Sequence, residues 1–355
     1  MNYKSNRIFY FDALRAFAIL CVVLLHVTGH VGEIMNYNVH TIFSIGGIYE
    51  TFANNFFRIG VDLFLMISGA LLLGRNLNVG DFFKKRFFRI AKPFIFWSFV
   101  FSVILIVSSY FIPGINFVSN FSVMGLINVF LDTLMFNAPG SVVYWFFWMM
   151  LYVYLLMPVL NKLVNKLELV NVECILMLWL VFVSIVYLLN NPFLLLASDF
   201  ISPLCLAVLG YYLRHCERQF LNSSSFAIFL VVVSSIFMLF YSYLVVDSKI
   251  LFVFHRYSLL VVINAIGIFC LFKSSGIINN VSGKITKVVS SIALCSYGMY
   301  LIHSQIIMVT RKIFHLSANF IFDYLLLFFV GFFLSWLIIY LLAKVPFVND
   351  LIGVK

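Results

Sequence analysis

The sequence predicts an all-α membrane protein, a polytopic bundle of about ten transmembrane helices with both termini cytoplasmic. Three observations carry this. Of the 355 residues, 64% are hydrophobic and only 10% charged, against roughly 45–50% apolar and 25% charged in soluble domains. Apolar runs recur at about the 20 residues that carry a helix across roughly 30 Å of hydrocarbon. Lys and Arg fall unevenly between alternate loops, as the positive-inside rule requires. Backbone groups in lipid are paired within a helix or around a closed barrel, and continuous rather than alternating apolar runs select helices.

The first span, 10–31, contains "DALRAFAILCVVLLH". At about 100° per residue Arg15 and His26 lie on nearly one face, roughly 16 Å apart along the axis, with Asp12 about 40° away. Asp12 and Arg15 lie near the cytoplasmic end, where an i, i+3 ion pair or snorkelling explains them as well as function does. His26 lies about 24 Å into the span, and an ionisable group at that depth is a candidate functional residue, a satisfied core histidine being the alternative. The following "GHVGEIMNYNVH" has no small-residue cleavage site, so the span is expected to be retained. His30 follows His26 at i+4, but no third clustered ligand and no H-E-x-x-H accompanies them, so no metal is expected.

The second span, 58–74, opens with Arg58 and Asp62 at i, i+4, a spacing that allows mutual neutralisation. Ser68 and Gly69 are small enough for close helix approach or for a pocket wall. Before the third span, 90–112, lies "DFFKKRFFRIAKP", which concentrates Lys84, Lys85, Arg86, Arg89 and Lys92. If this run is helical, Arg86 and Arg89 point the same way and suit a phosphate bidentately; an ordinary cytoplasmic loop is the alternative. No G-x-x-x-x-G-K loop exists, which argues against a nucleotide-hydrolysing engine.

An aromatic stretch at 121–137 reads as an interfacial or re-entrant helix. The remaining spans fall at 143–161, 174–190, 199–214, 225–246, 257–273, 289–310 and 321–343. In the ninth, "SYGMYLIHSQI" brings Tyr297, Tyr300 and His303 round one side every third residue, as cavity lining or as belt and core.

With the N-terminus inside, seventeen Lys and Arg are cytoplasmic. Five, Arg58, Lys249, Arg256, Arg311 and Lys312, are external, and Arg15 is intramembrane. The net charge of +10 thus serves anchoring and anionic lipid, not nucleic acid. Six cysteines form no C-x-x-C pair, which argues against disulfides and a thiolate zinc site. No repeat or soluble domain is evident, so residues 1–345 read as one membrane domain with a short cytoplasmic tail at 346–355.

Together these pieces resemble the integral-membrane acyltransferases of acyltransferase family three, which modify bacterial surface glycans. "RAFAILCVVLLH" matches the first-helix Arg, ten residues, His signature as Arg15 and His26, with the usual Asp as Asp12. "GVDLFLMISGALL" is similar to the second-helix motif, "RFFRIAKP" to the cytoplasmic R-x-x-R motif, "YWFFWMMLYVYLLMPVL" to the fourth-helix pattern and "SYGMYLIHSQI" to the late pattern. Order and spacing match along most of the chain. The resemblance implies transfer of an acyl group, usually acetyl from cytoplasmic acetyl-CoA, to a glycan hydroxyl in the bacterial inner membrane, with no metal. On that footing His26, Arg15 and Asp12 are the expected catalytic group. Arg86, Arg89 and Lys85 are expected to bind CoA, and Arg58, Ser68, Tyr297, Tyr300 and His303 the substrate. Expected partners are acyl-CoA, a glycan or polyprenyl-linked sugar, and membrane lipid. Some members carry an appended esterase-like domain; none is expected here, since the chain stops soon after the tenth span. A lipid-linked glycan exporter is the rival reading, though no matching inverted halves are seen.

Overall fold

A computed structural model describes residues 8–35, 45–111, 122–244, 256–275, 282–314 and 320–354. Lys4, Arg7, Lys249 and Lys355, counted above for orientation, lie outside these. Among the described residues the structure is helical throughout, without strands. Nine helices among the described residues are long and apolar enough to cross a membrane, and Leu259–Ser274 is a shorter apolar helix at the eighth expected span. The protein is a multi-pass all-α membrane protein. Its contacts divide it into two compact units that interleave along the sequence: Met1–Asn76, Leu156–Ala293 and Ala318–Tyr324 form the first, and Leu77–Leu155, Leu294–Ser317 and Leu325–Lys355 the second.

In the first unit α1 (Phe9–Met35) packs on α3 (Ile59–Leu72) at Gly60, where a Cβ would lie 2.7 Å from the Ala18 carbonyl oxygen and 2.9 Å from Val22 Cγ2. The helix preceding α3, α2 (Ile45–Phe56), is separated from it by only two residues. The second membrane passage therefore begins at Thr51 rather than at Arg58. Asn54 and Asn55 do not end it, because Asn55 Nδ2 donates to Thr51 O at 2.8 Å and the backbone's own helical bonds continue around them.

Helix α3 meets α8 (Pro192–His215) backbone to backbone. A Cβ on Gly69 would overlap the Ala207 carbonyl and one on Gly210 would overlap that of Met66. Small residues thus do what they commonly do between membrane helices. Elsewhere polar side chains join helices: Trp179 Nε1 of α7 (Leu169–Leu189) donates to Ser202 Oγ at 3.1 Å. Asn264 of α10 (Leu259–Ser274) reaches Ser234 Oγ of α9 (Ser224–Leu244) at 3.0 Å. The turn after α3, with Gly74 at φ +78°, is clasped by Asn161, which accepts from the Gly74 and Arg75 amides and donates to the Arg75 carbonyl.

In the second unit α4 (Val79–Phe111) is one helix of 33 residues whose first turns carry the basic run. The aromatic stretch expected at the interface forms α5 (Val123–Leu134), N-capped by Ser122 Oγ on the Gly125 amide. It lies against α4, with Ser102 Oγ bonded to Thr133 Oγ1 at 3.1 Å and Phe101, Leu105 and Val129 buried together. Beyond it come α6 (Trp145–Lys166), which belongs to this unit as far as Leu155, and α11 (Gly283–Ile313), which belongs to it from Leu294. The tenth passage is interrupted: α12 (Phe320–Phe329) passes through a π turn at Val330–Leu334 into α13 (Ser335–Leu342). A short α14 (Asn349–Ile352) seats its Ile352 carbonyl where a Cβ on Gly298 would have to go, so residues of the expected tail are packed on α11.

Candidate functional site

The polar stripe of α1 lies wholly in the first unit. Asp12 is 2% exposed and uses both oxygens. Oδ1 accepts from Arg15 Nη1 at 3.4 Å and Oδ2 from Ser290 Oγ at 3.2 Å. Arg15 is thereby tethered along its own helix with its side chain 27% exposed. A guanidinium carries five N–H donors, more than a single carboxylate takes up. His26 lies eleven residues further, half-buried, about 16 Å along the axis. One turn before it, Val22 abuts Gly60, so the close approach of α3 sets the register of its polar residues against α1.

Those residues are arranged differently from the sequence expectation. Arg58 does not reach forward to Asp62; its Nε donates back to Asn54 O at 3.0 Å. Asp62 is fully buried, and neither carboxylate oxygen has a hydrogen-bond partner among the described residues. The positive charges that act on it are Arg256 first and Arg58 second, and Arg256 also acts on Asp199 of α8. A fully buried acid without donors is costly, so this cluster is a second polar centre of the unit. Sequence reasoning counts Arg256 only as a loop charge and overlooks Asp199. The signal available for both carboxylates is an acid inside an apolar run. Ser68 is half-buried with its hydroxyl turned to Phe64 O at 2.9 Å.

The second unit gathers the other sequence-selected residues. On α4, Lys85 and Arg89 are exposed and Arg86 half-buried. The helical course of this segment puts Arg86 and Arg89 on adjoining turns of one face. One residue past Arg89, the Ile90 carbonyl accepts from Tyr297 Oη of α11 at 2.8 Å, which fixes α11 against the end of the basic run. Tyr300 Oη donates to Val143 O at 2.7 Å. His303 is fully buried, its Nδ1 2.8 Å from Tyr300 O and 3.2 Å from Met299 O. Because carbonyls only accept, Nδ1 carries the hydrogen.

A family model described as an acyltransferase domain, that of acyltransferase family 3, matches residues 8–343, nearly the whole chain. The chain belongs to acyltransferase family 3. No curated protein and no solved structure matches it. The protein is a multi-pass membrane acyltransferase, and its chemistry has to be assigned to side chains able to deprotonate a nucleophile, carry an acyl group or bind an anionic donor. In the first unit His26 stands on the same helix as the Asp12–Arg15 pair, whose carboxylate is buried. In the second unit of this acyltransferase, the exposed basic turns of α4 offer charge-assisted donors for phosphate.

The second unit also contains an apolar cavity of about 390 Å³ between α4, α11 and the π-turn region, bordered at one end by Trp97, Tyr144 and Gln305. Three of its polar groups are turned into the protein: Tyr144 Oη donates to Leu301 O, Gln305 Nε2 to Tyr144 Oη, and Thr310 Oγ1 to Ile306 O, while Trp97 Nε1 and Gln305 Oε1 have no hydrogen-bond partner among the described residues. None of these residues was singled out individually from the sequence, although Tyr144 opens the fourth-helix pattern and Gln305 lies in the late one, because most of the wall is ordinary Ile, Val and Leu.

Proposed function

We propose that this acyltransferase moves an acyl group, acetyl in the simplest case, from acyl-CoA on the cytoplasmic side to a hydroxyl of a surface glycan or of its lipid-linked precursor. The setting is the bacterial cytoplasmic membrane. The observation that supports this most is a histidine carried on the same helix as the Asp12–Arg15 pair, about 16 Å beyond it, a length that an extended pantetheine arm bridges.

A sugar hydroxyl is a weak nucleophile at neutral pH, and histidine is the usual base for activating it. His26 removes the hydroxyl proton as the oxygen attacks the thioester carbonyl carbon. The carbon–sulfur bond then breaks, CoA leaves as the thiolate, and the proton held by the imidazole passes to sulfur. In a two-step variant the imidazole nitrogen takes the acyl group first and the hydroxyl takes it second. Asp12 orients Arg15 at the donor end. Arg86, Arg89 and Lys85 bind the CoA phosphates, for which paired guanidinium forks are suited. Arg58, Ser68, Tyr297, Tyr300 and His303 are assigned to the substrate.

The test uses purified wild-type protein and His26→Ala in detergent with radiolabelled acetyl-CoA, scoring donor binding and release of free CoA separately. Both proteins are expected to bind, and only the wild type to turn the donor over. If the wild type neither binds nor consumes acetyl-CoA or a longer acyl-CoA, the reading fails and transport becomes the better one.

A further inference from the structure

We infer that the apolar cavity of the second unit holds the hydrocarbon tail of a phosphate-bearing carrier lipid on which the acceptor sugar is presented. This deepens the acyl-transfer reading and rests on it. The cavity starts beside Trp97 and Gln305 and follows α11 to Ile313 and Phe314, a run of nine residues or about 13 Å. The wall is Ile, Val, Leu and Phe apart from Trp97, Tyr144, Gln305 and Thr310; Tyr144 Oη, Gln305 Nε2 and Thr310 Oγ1 donate inward to protein acceptors, and Trp97 Nε1 and Gln305 Oε1 are buried without a hydrogen-bond partner among the described residues. The occupant is therefore hydrocarbon.

The cavity is reached from the bilayer. Three residues that line it, Ile104, Ile313 and Phe314, are also 45%, 57% and 58% exposed on the apolar surface. Opposite them the wall includes Val330 and Leu334, the two ends of the π turn. π turns widen a helix locally and recur at functional sites. By the scale on which a 150 Å³ cavity takes one benzene, about 390 Å³ takes on the order of fifteen carbons. That is one chain, and a two-tailed bilayer lipid would leave its second tail outside.

The charge at the mouth selects the headgroup. Arg311 and Lys312 follow Thr310 and precede Ile313 in the last turn of α11, and both flanking residues line the cavity. They are two of the few basic residues on the external side. A cationic pair at the interface beside a hydrocarbon slot fits a phosphate headed by a single chain. The basic run of α4, assigned above to CoA, lies at the opposite end of the same helix pair, since Tyr297 joins α11 to Ile90. Donor and acceptor carrier thus enter from opposite faces.

The experiment uses the purified chain in phosphatidylcholine nanodiscs with a photoactivatable fifteen-carbon isoprenyl monophosphate, and maps cross-links by peptide mass spectrometry. Labelling is expected on the segments holding Ile104 and Ile313. Unlabelled isoprenyl monophosphate should compete and phosphatidylglycerol should not. Arg311→Gln with Lys312→Gln, the first half-buried and the second exposed, should weaken labelling about thirtyfold, each basic group at a membrane surface contributing about fivefold. Leu334→Trp, which fills the cavity from its exposed side, should abolish it. Labelling elsewhere, equal competition by phosphatidylglycerol, or indifference to both variants overturns the proposal. Because no acyl-CoA is present, missing labels with intact acetyl-CoA turnover remove only the carrier site. Labelling in a protein that consumes no acyl-CoA keeps the lipid site and overturns the acyl-transfer reading.

Discussion

Replacing Gly69 by alanine should force α3 and α8 apart. A Cβ at Gly69 overlaps the carbonyl oxygen, carbon and Cα of Ala207, and one at Gly210 overlaps the same atoms of Met66. Backbone atoms cannot rotate aside as a side chain can, so the helices must separate until the new methyl regains about 3.5 Å from its neighbours. Overpacking of this kind costs about 1–3 kcal/mol, here at the upper end because both sides are rigid. The greater helix preference of alanine returns about 1 kcal/mol. For a chain of 355 residues a net loss of about 2 kcal/mol lowers the melting temperature by about 3 °C. Gly69→Ala with Gly210→Ala should cost little more than either alone, because one separation relieves both overlaps; the coupling should reach about 1–2 kcal/mol. Gly29→Ala is the control, since a Cβ there meets nothing within 4 Å. The assay is thermal unfolding in detergent, followed by intrinsic fluorescence and size-exclusion recovery. A Gly69→Ala protein that melts with the control, or a double variant whose loss is the sum of the singles, refutes the close backbone contact.

Asn161→Ala removes three hydrogen bonds from the turn at Gly74 and Arg75 and leaves their backbone groups without that partner. The expected loss is about 2–3 kcal/mol, measured by the same melts. Arg86→Gln and Arg89→Gln should each weaken acyl-CoA binding about tenfold, as loss of a charge-assisted hydrogen bond does, with turnover at saturating donor kept; equal binding by the double variant refutes the phosphate role. Asp12→Asn removes the counter-charge of Arg15, and acetyl-CoA turnover should fall by at least about tenfold. Ser290→Ala, which removes only the weaker contact to Asp12, should fall much less, and equal losses would refute the ion pair as the important feature.

Much of the site was legible because its residues share one helix. The spacing of Arg15 and His26 follows from helical pitch alone, and the Asp12–Arg15 pair was one of two readings open at i, i+3. The helicity of the basic run was a conditional expectation, and its incorporation into α4 meets the condition. Gly69 stood out as a small residue, and its contact with Ala207 is the packing that such residues allow. Arg58 and Asp62 illustrate the limit. Their spacing permits a pair, yet Arg58 donates to Asn54, and the charge of Arg256, a residue almost two hundred positions away in the chain, acts on Asp62 as well as that of Arg58.

The other misses have the same origin. Stretch 121–137 carries no mark that it lies on α4, since the Ser102–Thr133 bond joins two helices. Asn161 reads as a polar residue at a helix end, and only the fold brings the Gly74 turn to it. The π turn has no Pro or Gly pair to announce it beyond Gly331, and the cavity beside it is lined by residues indistinguishable from core.

The sequence by itself determined that the chain is a multi-pass helical membrane protein, roughly where it crosses, and which helix carries the polar stripe of Asp12, Arg15 and His26. Hydrophobicity, charge asymmetry and helical pitch are local properties, and each acts within a window of a few turns. Only the tertiary structure decided which backbones touch at Gly69 and Gly210, which cations act on Asp62, and where a hydrocarbon chain has room to lie. Those outcomes depend on contacts between distant segments, where apolar packing in lipid is non-directional and small residues and buried polar groups choose the partner.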